Sequence, residues 1–481
     1  MSGEAVVLAI DLGTTEVKVG LVAFDGRLLD LARAGYATDA DPGTGRAEQD
    51  PDGWWGAISL AVREVVRRAS AEVVAIGIDG HGPTLVAVDA AGDPTHPAIT
   101  WQDTRSTAEQ AELAASTGLH GWGLAGLPAA LWLERHDPRS AAATCWYLAT
   151  WDFIAMRLSG VAATSLVDGQ PFPDAAALDA AGIPSAKVPP GATAGSVLGT
   201  VTEAAAASLG LRPGVPVIAG IVDAWASYHG AGMTAAGDAM DPGGSAGGFG
   251  VYWDRPLEVP GSFSTIAPLG GLYSVGGAMA ATGRAVDWFR VDVLHANATT
   301  ETLIEEAGGI PAGSGGVIFL PYLAGERSPL WDPSARGAFV GLALGHDRAH
   351  LTRAILEGAA FAIRHVAEAV LAAGAEVRAM RVCGGPARSE LWNQIKADVT
   401  GFAVEVPAVL ETAVAGSAVL AATGIGAWPD LRAAIRGMTH AARSVHPNPA
   451  TRDRYDANYR AYRELHPAIS PVLRTLAEAT R

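Results

Sequence analysis

Two short stretches, 230 residues apart, constrain this chain more than anything else in it. The first is Ala9-Ile10-Asp11-Leu12-Gly13-Thr14-Thr15-Glu16-Val17-Lys18. The second is Ala239-Met240-Asp241-Pro242-Gly243-Gly244-Ser245-Ala246-Gly247-Gly248-Phe249-Gly250. Superposed without a gap, Asp11 falls on Asp241, Gly13 on Gly243, Thr15 on Ser245 and Gly20 on Gly250. The first copy reads as strand, tight turn, strand, because an apolar run ends in Asp11 and β-branched residues resume at Val17. Its turn offers backbone N–H groups, two hydroxyls and a lysine to a small anion. An ordinary hairpin with a polar turn fits one copy equally well. A second copy in register favours two related lobes, each with a phosphate turn, gripping a polyphosphate from both sides. A carboxylate at the strand end cannot touch phosphate directly. It fits if hydrated Mg²⁺ lies between, since that ion favours few carboxylates plus waters and substrate oxygens.

The chain has 481 residues, enough for two large domains, and 49% of it is apolar, enough for two cores. Its net charge of −16 argues against a nucleic-acid or anionic-membrane surface. A charged substrate then needs local cations or Mg²⁺. Two cysteines, Cys145 and Cys383, lie far apart and make neither a disulfide framework nor a zinc cluster. Glu4 and Asp11 interrupt the first apolar run, unlike a signal peptide, and no uncharged apolar run reaches the ~20 residues of a membrane helix. A cytoplasmic protein is expected.

Strands are expected at residues 6–10, 17–24 and 28–36, with Asp25-Gly26 as a hairpin turn. A helix over 51–68 has Trp54, Trp55, Ile58, Val62 and Val65 on one side. A strand over 73–78 ends in Asp79-Gly80-His81-Gly82-Pro83, and a hairpin is expected from Leu85 to Arg105. The apolar segment 215–221 opens into Asp223 and a helix. In the second half, a long helix is expected over 351–373, a strand over 380–383 before Gly384-Gly385-Pro386, helices over 388–400 and 412–423, and a terminal helix over 452–464. Strands mixed with helices in two repeats imply an α/β fold of two domains, 1–236 and 237–481, with a ligand cleft between them.

Several residues admit two roles. Asp223, at a strand-to-helix junction, fits a helix N-cap; it also fits a catalytic base, which in phosphoryl transfer orients a hydroxyl and takes its proton late. Trp101, Asp103 and Arg105 alternate, as a polyol site with an apolar ring and charged partners does, or as a core tryptophan beside a surface salt pair does. Glu48 and Gln49 are a helix-entry loop or hydroxyl contacts. His81, between glycines, is a satisfied loop histidine or a substrate contact. Gly384-Gly385 is a tight turn or a place where a flat ring meets the backbone.

The longest recognisable pattern is Pro321-Tyr322-Leu323-Ala324-Gly325-Glu326-Arg327-Ser328-Pro329, then Asp332-Pro333, Ala335-Arg336-Gly337, Gly341-Leu342, His346, Arg348-Ala349-His350-Leu351, Arg353-Ala354 and Leu356-Glu357-Gly358. With the two turns it resembles the FGGY carbohydrate kinases, of the actin-like (RNase H-like) ATPase superfamily, over nearly the whole chain. The resemblance implies two actin-like ATPase domains with an interdomain catalytic cleft. It also implies ATP-dependent phosphorylation of a small sugar or polyol, a ketopentose such as xylulose foremost, with a tetritol or pentitol also open. By the same matching, Asp11 is the Mg²⁺-associated carboxylate, and Gly13, Thr14, Thr15 and Lys18 form the first phosphate turn. Gly244, Ser245 and Gly247 form the second, Gly384, Gly385 and Ser389 bind adenosine, and Asp223 is the general base. Trp101, Asp103 and Arg105 line the sugar pocket. The stretch from Gly77 to Pro83 departs from the Gln-Met-His-Gly run usual in xylulokinases, and the Arg-Glu pair of glycerol kinases is absent as well. Asp79 and His81 are candidates to supply replacements for those contacts, and Glu48 is a separate candidate substrate contact. Pro386 replaces a frequent third glycine and removes a donor. Family members are often dimers, which leaves a homodimer open, but the sequence itself does not set the oligomeric state. A catalytically silent actin-like binding protein is the competing reading.

Overall fold

The strand carrying Asp11 is central to its sheet because its run from Val6 to Ile10 is apolar on both faces. Val6, Val7, Leu8, Ala9 and Ile10 are all fully buried, as in strands covered on both sides. The computed structural model describes residues 4–41, 43–244 and 246–479. The chain folds into two compact units. The first comprises Met1–Gly232, Pro268–Gly270 and Glu411–His440; the second comprises Met233–Ala267, Gly271–Leu410 and Ala441–Arg481. The architecture is mixed α/β, as the alternation of elements predicts.

In the first unit, Glu4–Leu12 pairs antiparallel with Glu16–Ala23, which pairs with Leu28–Gly35. On its other side it pairs in parallel with Ala71–Gly80, which has Pro216–Ile218 and Ile221–Val222 as parallel neighbours. The register sets Asp11 opposite Asp79, and Ile221 opposite Asp79 in turn. Three strand ends therefore finish on one edge of the sheet, where open α/β sheets carry their ligands.

Each face of this sheet has its own helix. Pro51–Arg68 covers one face with Trp54, Ile58, Val62 and Val65. Asp50 caps it through the Asp52 N–H at 3.0 Å, and Pro51 supplies the preset first turn. The opposite face is covered by Thr412–Gly424, a helix with buried residues all round, as a core helix requires. It approaches closely because glycines allow it. A methyl on Gly77 would stand 2.1 Å from the Ser417 carbonyl oxygen. Where this helix crosses Asp223–Gly230, a methyl on Gly416 would stand 1.8 Å from the Ala226 carbonyl oxygen.

The second unit repeats the pattern. Asp238–Asp241 pairs antiparallel with Gly248–Trp253 and in parallel with Ala379–Val382, followed by parallel Val404–Pro407 and antiparallel Ala441–Val445. The repeat read from the sequence is thus a repeat of topology. The gapless overlay is off by one residue beyond the turn: Ile10 faces Val19, whereas Met240 faces Gly250. The second turn is one residue longer, and Gly250 stands where Val19 stands, not Gly20.

Two expected elements differ. Val86–Val88 pairs with Trp146–Leu148, and contact between Leu85 and Ile99 is a single bridge, so the hairpin expected from Leu85 to Arg105 is reduced to bridges. The terminal helix runs Arg452–Ala479, past Pro467 and Pro471. Its first turns are anchored by Tyr455, Tyr459 and Tyr462 against Phe361.

Gly416→Ala is expected to destabilise the first unit by about 1–3 kcal/mol, the usual cost of overpacking a tight crossing. Thermal unfolding reads this as a Tm lowered by several degrees; an unchanged Tm would mean the two helices separate without cost.

Candidate active site

Asp11 ends its strand beside Lys18, its register partner across the hairpin. The Lys18 ammonium lies 3.3 Å from Asp11 Oδ2 and 3.4 Å from Glu411 Oε2. Burial works against this ammonium, but the two carboxylates outweigh it, and its pKa is raised. Glu411 also pairs with Arg33. It precedes the Thr412–Gly424 helix and is separated from Lys18 by most of the chain, so nothing local in the sequence signals it.

The turn between the strands is tied down through its carbonyls. Tyr36 donates its hydroxyl to Gly13 O and its backbone N–H to Thr15 O at 3.2 Å. Gln49 Nε2 donates to Thr14 O at 2.7 Å. Trp101, 40% exposed, donates its indole N–H to Thr14 Oγ1 at 3.1 Å. The structure therefore brings Trp101 and the first turn together.

Asp79 is fully buried. Its Oδ2 accepts from Ser417 Oγ at 2.5 Å, and its other oxygen meets no donor among the described residues. Burial first, then the Asp11 charge, raise it well above the ordinary carboxylate range. Asp223 is not the N-cap of its helix. Val222 holds that position, and Asp223 Oδ1 accepts from the next N–H, Ala224, at 2.7 Å. Its side chain keeps partial contact with solvent although protein atoms crowd it. Burial and then the Asp11 charge push its pKa up to about 7, against the Ala224 bond and the Lys18 charge.

Glu48, Asp103 and Arg105 form one cluster. Asp103 accepts from the backbone N–H groups of Ala47 and Arg105, both at 2.9 Å, and from the Arg105 guanidinium at 2.7 Å. Arg105 also reaches Glu48 at 2.5 Å and lies over the Trp132 ring at 4.3 Å. Asp103 thus orients Arg105. Trp132 is a member the sequence pattern gave no reason to include. His81 is buried, shares a hydrogen bond with Thr84 Oγ1 at 3.0 Å and meets the Trp54 ring edge-on. Burial pushes its pKa down to about 4, so the ring is neutral.

In the second unit, Gly243, Gly244 and Gly247 all have positive φ. Ser245 lies outside the described residues. Methyl groups on Gly244 or Gly385 would meet nothing, so their backbone faces open space. Asp241 accepts from Gly243 N at 2.9 Å and forms a buried pair with Lys396 at 2.6 Å. Gly384 also has positive φ, and Gly385–Arg388 is a short 3₁₀ turn. Ser389 caps the following helix, accepting from Trp392 N at 3.1 Å. Among the described residues, no three His, Cys, Asp or Glu side chains are grouped to hold a metal ion, and no helix is long and apolar enough to cross a membrane.

Comparison with known proteins places these features in a family. Residues 6–230 match the N-terminal domain and residues 244–425 the C-terminal domain of the "FGGY family of carbohydrate kinases". The chain is 28% identical to a xylulose kinase of Bacillus subtilis, covering 96% of each sequence, and 32% identical to a glycerol kinase of Thermus brockianus, covering 88% of this chain and 90% of the other. The crystal structure of a xylulose kinase from Rhodospirillum rubrum superposes with a TM-score of 0.82 at 30% identity, over 98% of this chain and all of that one.

The electrostatics of the edge are open to direct measurement. In a carboxyl-carbon NMR titration, Asp223 is expected to have a midpoint near 7, lower in Asp11→Asn and higher in Lys18→Met. A wild-type midpoint near the ordinary ~3.9 would mean that neither burial nor Asp11 acts on it.

Proposed function

Because this chain belongs to the FGGY family of carbohydrate kinases, and is therefore an ATP-dependent sugar kinase, we propose that its acceptor is a ketopentose of the xylulose type and that Asp223 is its general base. The observation that carries the second part is the position of Asp223. It sits at the sheet edge with Asp11 and Asp79, and its pKa of about 7 suits proton transfer at neutral pH. The full-length similarity to proteins named xylulose kinase supports the first part.

In this reading, Lys18 and the N–H groups of Thr14 and Thr15 hold phosphate oxygens, while Gly13, whose own N–H closes the turn onto Glu16 O at 3.1 Å, shapes the loop that presents them. Asp223 orients the sugar hydroxyl and accepts its proton as the oxygen–phosphorus bond forms. The transition state is loose, so positioning and charge stabilisation do most of the catalysis. In the second unit, Gly244, Ser245 and Gly247 contact phosphate, and Gly384, Gly385 and Ser389 contact adenosine. The open backbone at Gly244 and Gly385 supports both assignments. Trp101 and Arg105 meet the sugar, with Arg105 aimed by Glu48 and Asp103. Asp79 and His81 are buried and already bonded to Ser417 and Thr84, which favours a supporting part for them.

The residues fit Mg²⁺ in the sparse way that ion prefers. One carboxylate, Asp11, is enough when waters and phosphate oxygens complete the shell. Bound there, the ion would neutralise charge on the transferring phosphoryl group. A catalytically silent binding protein would have no use for a carboxylate held near neutrality beside Asp11 and Lys18.

A coupled ADP-release assay over ketopentoses, pentitols, tetritols, hexuloses and glycerol tests the acceptor, with the highest kcat/KM expected for a ketopentose; a clear preference for glycerol or a hexulose would overturn that choice. Asp223→Asn is expected to lower kcat by about 10²–10⁴-fold while an ATP analogue still binds. The wild-type kcat/KM for sugar is expected to fall below pH about 7, because the raised pKa leaves Asp223 protonated, and so unable to act as a base, on the acid side. Wild-type turnover in Asp223→Asn would remove it from the mechanism.

A further inference from the structure

Gln49 is 2% exposed and its side chain makes three hydrogen bonds, all within the protein's own first unit. Its Oε1 accepts from Trp54 Nε1 at 3.1 Å, and its Nε2 donates to Thr14 O and to Thr38 Oγ1, both at 2.7 Å. An indole N–H can only donate, so Trp54 fixes which end of the amide is oxygen and turns the NH₂ group toward Thr14. Trp54 itself is locked in the apolar core of the first unit, on the helix that starts two residues after Gln49. The Gln49 backbone is fixed as well, by pairing with Ala98 and by the Asp50 cap that follows.

The consequence falls on the turn. In a trans peptide the carbonyl of one residue and the N–H of the next point in opposite directions. Pulling the Thr14 carbonyl toward Gln49 therefore drives the Thr15 N–H the other way. Pulling the Gly13 carbonyl toward the Tyr36 hydroxyl does the same for the Thr14 N–H. Among the described residues, neither of these two N–H groups is donated to a protein acceptor, and Thr15 is exposed. Two successive amides are thus presented outward as an anion nest, next to Lys18. We infer that Gln49 is the positioning residue of this turn: it holds the Thr14 carbonyl back so that the Thr15 N–H faces a phosphate oxygen of the nucleotide. This inference rests on the reading of the turn as a phosphate site. It gives Gln49 a part in nucleotide binding without contact to nucleotide.

The test measures affinity for a non-hydrolysable ATP analogue with Mg²⁺, by calorimetry, together with Tm and the KM values for ATP and sugar. Gln49→Glu keeps the acceptor for Trp54 and loses the donor to Thr14; Gln49→Met removes the donor without adding charge. Both are expected to weaken analogue binding and raise the KM for ATP by about ten- to hundredfold, the scale of a small misplacement in a preorganised site, with the KM for sugar near wild type. Thr38→Val removes the other acceptor of the same NH₂ group. It is expected to lower Tm while leaving nucleotide affinity unchanged. If Thr38→Val weakens binding as much as the Gln49 variants do, general loosening explains the effect and the inference fails. If the Gln49 variants bind normally while Lys18→Met does not, the inference fails and the phosphate reading stands. If Lys18→Met also binds normally, the phosphate reading itself fails, and the inference with it. Gln49→Glu carries the test alone if Gln49→Met does not fold.

Discussion

Repulsion between carboxylates at the end of one sheet is the constraint to which the rest of the first unit answers. Parallel pairing sets Asp11 against Asp79, and neighbouring strands lie only about 4.8 Å apart. Two full charges at that spacing would cost on the order of 3 kcal/mol even in a moderately polar medium. The structure answers each charge separately. Asp11 has Lys18, Asp79 takes the Ser417 hydroxyl and a raised pKa, and Asp223 has the Ala224 N–H. Asp223 is raised to about 7 first by burial and only then by the Asp11 charge, so the same sheet edge that crowds the acids also takes them out of water.

The second unit repeats the topology without repeating the electrostatics. Asp241 occupies the strand-end position of Asp11, but its partner Lys396 comes from a helix and is 2% exposed. That pair is sealed in the core, and removing one partner would leave an uncompensated buried charge. Lys18 in the first unit keeps partial exposure and is shared between Asp11 and Glu411. The repeat therefore keeps a backbone device, the glycine turn, but leaves its strand-end acid beside a partly exposed, shared lysine in one copy and sealed in the core in the other.

What was legible in the sequence was local. Apolar runs ending in Asp11, the Asp25-Gly26 turn and the Pro51 helix start all depend on neighbouring residues, and they formed as read. Asp223 was legible as a residue at a strand-to-helix junction, but not its placement one position inside the helix. The hidden part was long-range. Ser417 meets Asp79 from 338 residues away, and Glu411 meets Arg33 from 378; no spacing rule connects such pairs. Gln49 looked like a loop amide because its donors and acceptors belong to three different segments. The terminal helix, expected over 452–464, continues to Ala479. Pro467 and Pro471 are carried within a helix whose first turns are anchored by tyrosines on the core.

The Thr412–Gly424 helix belongs to the first unit, yet 178 residues separate its preceding Glu411 from Gly232, where the main stretch of that unit ends. During synthesis, at typical elongation rates, the ribosome needs on the order of 10–40 s to cross that interval. Throughout it, one face of the nascent first sheet, with Asp79 and the bare glycine at 77, has no cover. Folding of the amino-terminal half is in this sense a co-translational wait: its sheet is complete in hydrogen bonds long before it is complete in packing, and an incomplete translation product would present that apolar face to chaperones.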